Sequence, residues 1–314
     1  MKKDVLIIGD LYFDIPKFVN GYRITHISLI KKIGKFKSLK RAYYLRTKNL
    51  KVCDYFDLEG IQCQAAKSDI VILFDGTTNF VLSEVIDKIE RGVTHNRTKL
   101  YFFFWNTIIT FNGLKFSNRW NICTYDKNDA IKFGLRYIGG FYSVSKSFLE
   151  IQESNLLYDL IFVGTDKGRF DYIRQLESTL HANNLKTKFI YVDPIKSKYS
   201  KKYTAPISYV QSLEEMSKSR AILDIIQVGQ TGLTLRIYEG LFYNKKVITN
   251  NKEIVQHKFY HPNNILVIDT TTTINIIKNF LDSDFHPVLE EVKKVYHFSS
   301  WLDRVIEPNC TLDF

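Results

Sequence analysis

A polar stretch at residues 227–251, QVGQTGLTLRIYEGLFYNKKVITNN, contains residue types that bind phosphorylated ligands. Gly229 and Gly232 let the backbone approach a ligand closely or adopt positive φ. Thr231 and Thr234 supply hydroxyl donors, and either threonine can cap a helix that begins after it. The free N–H groups of a helix's first turn, together with the helix dipole, attract anions. The stretch therefore predicts either an anion site or simply a capped helix.

Two charged residues follow within the predicted helix. The guanidinium of Arg236 can add a charge-assisted hydrogen bond to a phosphate. The carboxylate of Glu239 is a poor phosphate ligand, but it can accept hydrogen bonds from two vicinal hydroxyls such as those of a ribose. These residue types are those of a site for a phosphate and a sugar. The alternative is a capped helix with a solvated arginine and glutamate.

Apolar segments that end in polar loops alternate with helical patterns along the chain. This alternation predicts an α/β fold with helices on both faces of parallel sheets, in which ligands bind outside the carboxyl ends of the strands. The pattern restarts at residue 157, which predicts two doubly wound domains that face each other across a cleft. The predicted strands of the first half lie in residues 4–10, 68–80, 98–107 and 120–126, and a helix is predicted at 26–45.

The length of 314 residues, with 45% hydrophobic residues, suits two domains. We expect one Rossmann-like domain at 1–150 and a second at 151–287. The helical segment 288–306 either packs on the second domain or returns to the first. No segment approaches the roughly 20 apolar residues of a membrane span. The four cysteines form no C-x-x-C pair, which suits a cytoplasmic protein.

The formal net charge of +11 favours anionic partners. The densest run, at residues 28–51, carries nine lysines and arginines. It predicts either a solvated helix face or a patch for an anionic membrane or an acceptor. Zinc-finger spacings, aromatic RNA-binding signatures and helix-turn-helix patterns are absent from the sequence, so no nucleic-acid partner is expected. The histidine pair of HKFYH lacks a third ligand, and no metal site is expected either.

Several segments carry a resemblance to a known family. They are DLIFVGTDKGRFDYIRQL, ISYVQSLEEMSKSRAILDI, GQTGLTLRIYEGLFYNKKVITNN and FYHPNNILVID in the second half, and FFFWNT and WNICTYDKNDAIKFGLRY in the first. The chain resembles GT-B glycosyltransferases of capsule and lipopolysaccharide biosynthesis, of the CgeB-like type. The resemblance covers most of the chain and is most specific at residues 227–251.

The resemblance implies that the domain at 1–150 binds the acceptor and that the domain at 151–287 binds a nucleotide-sugar donor. The donor would face the loop after the first strand of the second domain, at Gly164, Thr165, Lys167 and Arg169. The nucleobase would contact Ile207, Ser208 and Tyr209. The pyrophosphate would lie in the polar loop formed by Gln230, Thr231, Gly232, Leu233 and Thr234, with Arg236 beside it, and Glu239 would bind the ribose.

The general base is less well defined. Retaining members of the resembled group often carry two glutamates separated by seven residues, and Thr231 stands at the first of these positions. An inverting displacement needs a base on the first domain. Asp75 and Asp14 follow predicted strands and are the candidates, with His26 and Asp126 in reserve. Aspartate in such loops is more often a helix cap or turn residue.

The expected activity is transfer of a sugar from a nucleotide sugar, UDP-linked, to a growing surface polysaccharide or lipid-linked oligosaccharide. No cofactor or metal is required if arginines, lysines and helix N-termini stabilise the leaving diphosphate. The enzyme would be cytoplasmic, with a peripheral contact to the anionic inner membrane face. The alternatives are a non-catalytic nucleotide- or sugar-binding protein and a nucleotide-sugar hydrolase or epimerase of the same fold.

Overall fold

The computed structural model describes residues 2–29, 35–93, 97–108, 114–144, 155–193, 196 and 200–307. These residues form two compact units. The first lies within Met1–Gly139 and Leu302–Thr311, and the second within Gly140–Trp301. Each unit contains one predominantly parallel sheet with helices in its connections. The α/β class expected from the alternation of strands and helices is thus confirmed.

The sheet of the first unit has seven strands in the order β2-β3-β1-β4-β5-β6-β7. All its pairs are parallel except β2 with β3. The strands are β1 (Lys3–Ile8), β2 (Phe18–Val19), β3 (Tyr22–Ile27), β4 (Ile70–Phe74), β5 (Lys99–Phe104), β6 (Trp120–Thr124) and β7 (Arg136–Tyr137), and the helices are α1 (Lys35–Arg46), a 3-10 helix (Leu50–Tyr55), α2 (Leu58–Ala65), α3 (Asn79–Gly92) and α4 (Lys127–Phe133).

The central strands of this sheet are buried, which explains their sequence. All five residues of β4 and the last five of β5 are buried. Parallel strands covered on both faces are continuously apolar rather than alternating. On α3 the apolar residues recur every three to four positions and form its buried face: Val81, Leu82, Val85, Ile86 and Ile89.

The predicted helix at 26–45 is wrong at its start. His26 and Ile27 belong to β3, which pairs in parallel with β1, and helix α1 is described only from Lys35. β3 follows β2 through a two-residue turn whose φ angles are +46° at Asn20 and +83° at Gly21. Asn-Gly is the residue pair that such hairpin turns favour. The VNGY sequence therefore carried a hairpin signal that the helical pattern obscured.

The sheet of the second unit has five strands in the order β12-β11-β10-β8-β9, and its pairs are parallel. The strands are β8 (Tyr158–Gly164), β9 (Thr187–Tyr191), β10 (Ser219–Asp224), β11 (Lys246–Thr249) and β12 (Ile265–Val267), and the helices are α5 (Phe170–Ala182), α6 (Tyr209–Ser217), α7 (Leu235–Phe242), a 3-10 helix (Lys252–Gln256), α8 (Ile274–Asp282), α9 (Glu290–Lys294) and α10 (Phe298–Ile306).

In both sheets the chain first adds a strand on one side and then continues on the other. The direction reverses between β1 and β4 in the first unit and between β8 and β10 in the second. These are the topological switch points of doubly wound sheets, where loops diverge and leave a crevice for ligands. The loops that follow these four strands are therefore where each unit is expected to bind a ligand.

Helix α7 packs against β11 closely enough to require glycine. A Cβ atom at Gly240 would overlap the side chain of Val247 in β11 and lie 3.1 Å from the carbonyl oxygen of Lys245. Val247 is buried and cannot move aside. The absence of a side chain at Gly240 thus sets how closely α7, and with it the polar loop before α7, approaches the sheet.

The end of α10 is anchored within the first unit. The guanidinium of Arg136 donates hydrogen bonds to the carbonyl oxygens of Arg304, Val305 and Glu307. The Tyr101 hydroxyl donates to the carbonyl oxygen of Ile306 over 3.2 Å. These donors satisfy carbonyl groups that a helix leaves unpaired at its C-terminus. Across the described ranges, every helix is too short or too polar to cross a membrane.

Candidate functional site

The polar loop of residues 226–234 and the loop of residues 165–169 leave the same edge of the second sheet. They follow β10 and β8, which are adjacent parallel strands with Ala221 opposite Leu160. Both loops therefore start at the switch point of the second unit. The sequence assigned residues of both loops to the donor site, and the topology places them at one edge.

The carboxylate of Asp224, the last residue of β10, connects these elements. It is buried, and its two oxygens accept hydrogen bonds from the hydroxyls of Thr234 over 2.8 Å and Thr249 over 3.0 Å. Burial raises the pKa of Asp224, while both hydroxyls and the positive charges of Arg169 and Arg236 act to lower it. One carboxylate thus holds β10, β11 and the beginning of α7 together.

Thr234 is the residue that caps α7. Its hydroxyl oxygen accepts a hydrogen bond from the backbone N–H of Arg236 over 3.2 Å while its proton goes to Asp224. Thr231 contributes its carbonyl oxygen instead, which accepts from the side-chain amide of Asn251 over 3.0 Å. Gly229 has a φ of +85°, a conformation that favours glycine. These contacts therefore hold the loop in place. The two predictions from the sequence, a helix cap and a ligand-binding loop, are compatible.

Arg236 and Glu239 form an ion pair within α7. Glu239 is fully buried, and its Oε1 atom has no hydrogen-bond partner among the described residues. Burial raises the pKa of Glu239, whereas Arg236 and the Tyr209 hydroxyl act to lower it. Burial lowers the pKa of Arg236, but Glu239 outweighs this effect and raises it. The ribose and phosphate roles of these residues stay predictions, and the structure adds that each residue is already the other's counter-ion.

Two cations stand in the loop after β8. Burial lowers the pKa values of both Lys167 and Arg169. The Arg169 guanidinium lies 5.7 Å from the ring centroid of Phe162, and its buried Nε has no hydrogen-bond partner in the part of the chain that the structure describes. A partly buried cation with a free donor is stabilised by a nearby anion. The loop is shaped by Asp166, whose carboxylate accepts from the N–H groups of Gly168 and Phe170.

The segment predicted to contact a nucleobase begins helix α6. Ser208 caps this helix: its hydroxyl accepts from the N–H of Gln211, and the Gln211 side chain accepts from the N–H of Ser208. The Tyr209 hydroxyl lies 2.6 Å from that of Tyr142, which donates to the Tyr243 hydroxyl over 2.8 Å. The side chains of Ser208 and Tyr209 are thus engaged with protein, while Ile207 is half-exposed. Their nucleobase role stays a prediction.

The candidate bases lie at different depths in the first unit. Asp75 follows β4, and its carboxylate accepts from the backbone N–H groups of Trp105 over 2.7 Å and Asn106 over 3.1 Å. Burial outweighs these hydrogen bonds and raises the pKa of Asp75 to about 6. Asp14 is exposed. A carboxyl group with a pKa close to neutrality suits a general base, but Asp75 also fixes the loop after β5.

The reserve residues have structural partners. His26 Nε2 lies 2.8 Å from the carbonyl oxygen of Gly9, so this nitrogen carries the donated proton. Asp126 caps α4, accepting from the N–H groups of Asn128 and Asp129. Over the described residues, no group of three or more His, Cys, Asp or Glu side chains is arranged to hold a metal ion. In the HKFYH segment, His257 Nδ1 lies 2.9 Å from the Tyr296 hydroxyl.

Asp224 and Thr249 were not predicted from the sequence. They are the last residues of β10 and β11, at the carboxyl ends where ligands bind in such sheets. Their contact depends on which strands are neighbours, because Thr249 is 25 residues from Asp224 in the chain. The sequence signal for both is a polar residue that follows an apolar run, the Asp of AILDI and the Thr directly before NN in KKVITNN.

No protein-family model and no curated protein sequence matches the chain. Solved structures do match it. An alpha-glucosyltransferase in complex with UDP and a 13-mer DNA with an A:G mismatch has a TM-score of 0.55 at 12% identity, over 97% of this chain and 93% of that one. An alpha-glucosyltransferase with UDP-glucose and DNA containing an abasic site gives 0.54 at 12%, over 97% and 92%. An alpha-glucosyltransferase with UDP gives 0.52 at 11%, over 97% and 93%.

Identities this low establish the fold and nothing more. The chain has the GT-B fold, with two doubly wound, Rossmann-like units, as the sequence predicted. The comparisons give no support to the capsule and lipopolysaccharide type within that fold.

The prediction of a glycan acceptor with no nucleic-acid partner is wrong, because structures with this fold contain DNA. That prediction rested on the absence of dedicated DNA- and RNA-binding motifs from the sequence. An enzyme that binds DNA through a basic surface does not need such a motif.

Replacing Asp224 by Asn should destabilise the protein by about 1–3 kcal/mol, because one threonine hydroxyl loses its acceptor and two arginines lose a counter-charge. Urea unfolding measures this. Glu214→Gln removes a charge from an exposed residue of α6 in the same unit and should be neutral. Equal stability of the two variants would contradict the role given to Asp224.

Asp75 should make stability depend on pH. A carboxyl group whose pKa rises from 3.8 unfolded to about 6 folded stabilises the folded state below the unfolded pKa, and this contribution disappears as the pH rises through the folded value. Relative to Asp75→Asn, the wild type should lose about 2.4 kcal/mol of unfolding free energy between about pH 4 and about pH 7. The exposed Asp54→Asn variant is the control. Parallel pH profiles for wild type and Asp75→Asn would show that the Asp75 pKa is unshifted.

Proposed function

We propose that this chain is a glycosyltransferase that takes a sugar from a UDP-linked donor and transfers it to a hydroxyl group on DNA. The observation that carries the donor part is the arrangement around Asp224, whose carboxylate holds the first turn of α7 and interacts with the charges of Arg169 in the neighbouring loop and Arg236 in α7. The comparisons support the choice of nucleotide, because the proteins that share this fold were solved with UDP or UDP-glucose.

The donor's diphosphate would accept hydrogen bonds from the first-turn N–H groups of α7 and would be stabilised by the positive charges of Lys167 and Arg169. The Nε of Arg169 is a buried donor that has no hydrogen-bond partner among the described residues. The ribose would meet the carboxylate of Glu239, whose Oε1 is likewise unpartnered there. Opening this buried carboxylate to a ligand requires the Arg236 and Tyr209 side chains to shift, so we expect donor binding to rearrange α7's inner side chains.

In the reaction, the acceptor hydroxyl oxygen forms a bond to the anomeric carbon and the bond from that carbon to the UDP oxygen breaks. UDP leaves with the bonding electrons, which the cations and the helix N-terminus stabilise. The acceptor's proton passes to a base. Asp75 is our candidate because a carboxyl group with a pKa of about 6 accepts protons near neutral pH. Because protein groups neutralise the diphosphate, a chelator should leave turnover intact.

The acceptor class follows from the comparisons and from charge. The structures that share the fold include complexes with DNA, and the chain has a net charge of +11.

The assay is transfer of labelled sugar from UDP-glucose and other UDP-sugars to duplex DNA that carries base hydroxyl groups. Free sugar without labelled DNA would indicate a hydrolase, an altered nucleotide sugar an epimerase, and binding without turnover a non-catalytic protein. Each of these outcomes would contradict the proposal.

Arg169→Gln should weaken UDP binding about tenfold to hundredfold, the value of a charge-assisted hydrogen bond to a phosphate. Isothermal titration with UDP measures the change. Arg174→Gln is the matched control, because Arg174 is an exposed arginine of α5 that contacts Glu177 and the Tyr191 ring and was not assigned to the donor site. Equal UDP affinities for the two variants would remove Arg169 from the donor site.

A further inference from the structure

The positive charge of this protein is concentrated in one segment. Residues 15–53 contain eleven of the 44 lysines and arginines and none of the 33 aspartates and glutamates. In the rest of the chain the basic and acidic residues are equal in number. The net charge of +11 is therefore the charge of this single segment, which belongs to the first unit.

Part of this segment is a described, exposed basic surface. We define it by five side chains on α1 and in the turn and 3-10 helix that follow: Lys37, Lys40, Arg46, Lys48 and Lys51, all of which are exposed. The lysines at 31 and 32, which the sequence also suggested, lie outside the described residues. From Lys37 to Arg46 the helix rises about 14 Å, a length that spans roughly four phosphates of one DNA strand.

Two apolar residues of α1 face the interior of the first unit. Tyr44 and Leu45 pack against its hydrophobic core, together with Cys53 and Tyr55. A helix that lies on a membrane needs an outward apolar face to insert between the lipids. With Tyr44 and Leu45 turned inward and Lys37, Lys40 and Arg46 exposed, the described side chains of α1 favour a polyanion over a lipid surface. Tyr43, 63% exposed among these cations, offers an aromatic ring for contact with a base or sugar.

We propose that this basic surface docks the phosphate backbone of nucleic acid. Lysine and arginine contacts to phosphates are independent of base sequence and release condensed counter-ions, so they give an affinity that falls steeply with salt. The surface would hold the acceptor strand, while other groups carry out the transfer. The inference rests on the proposed DNA acceptor but adds the place on the molecule that binds it.

The test compares two variants of equal net charge. Lys40→Gln, Lys48→Gln and Lys51→Gln together remove three charges from the basic surface. Lys67→Gln, Lys99→Gln and Lys115→Gln together remove three exposed charges elsewhere in the same unit. Binding to a labelled duplex of about 20 base pairs is measured by fluorescence anisotropy, without donor, between about 50 and 200 mM salt, where phosphate contacts dominate the salt dependence.

We expect the wild type to bind with a slope of log K against log salt near −4 to −5, for five phosphate contacts, and the surface variant to lose about 2.7 of this slope. The control variant should keep the wild-type slope. UDP affinity, measured separately without DNA, should be the same in all three proteins, which also shows that they are folded. If the wild type binds DNA but not UDP, the result would contradict the proposed function and leave the DNA-docking inference intact.

Three results would overturn the inference. The first is that the wild type fails to bind the duplex. The second is that the two triple variants have the same salt slope, which would make total charge rather than this surface decisive. The third is that the surface variant keeps its DNA binding but loses binding to phosphatidylserine–phosphatidylcholine vesicles, which would assign the surface to a membrane.

Discussion

The buried carboxylate of Asp224 is the constraint on which the candidate site depends. Removing a carboxylate from water is costly unless hydrogen bonds and positive charges replace the lost hydration. Here two threonine hydroxyls supply the hydrogen bonds and two arginines supply the charge. Those partners come from α7, β11 and the loop after β8. Satisfying one buried charge therefore fixes three separate elements, and with them the N–H groups at the start of α7.

The same charges form a balanced set within the second unit. Asp224 and Glu239 are two buried carboxylates, and Arg169 and Arg236 are the two cations that the pKa shifts of Asp224 and Glu239 reflect. The two negative charges offset the two positive charges, which reduces the cost of burying them. The charge of Arg236 nevertheless acts to lower the pKa of Arg169. In the proposed function, a diphosphate would need further positive potential, which Lys167 and the dipole of α7 can supply.

The sequence was sufficient to predict the central strands of the sheets but not every strand, nor the contacts at the sheet edges. Buried parallel strands such as β4 and β5 are apolar throughout, and such segments are recognisable without tertiary information. The pairing of Arg236 with Glu239 follows from their spacing of three residues on a helix and was within reach. The link from Asp224 to Thr249 was not, because it depends on which strands are neighbours. The β2–β3 hairpin was missed because its Asn-Gly turn lies just before a basic helical pattern.

The distribution of charge separates two kinds of anion recognition. In the proposed function, the second unit would bind a small anion through a few buried or partly buried cations close to carboxylates, and burial keeps the screening by salt weak. The first unit contains the segment of residues 15–53, which has no acidic residue and whose Lys37, Lys40, Arg46, Lys48 and Lys51 are exposed. Such a surface attracts a long polyanion from a distance and is strongly screened. A raised ionic strength should therefore weaken docking of a polyanion far more than binding of a nucleotide, because only the first depends on exposed charge.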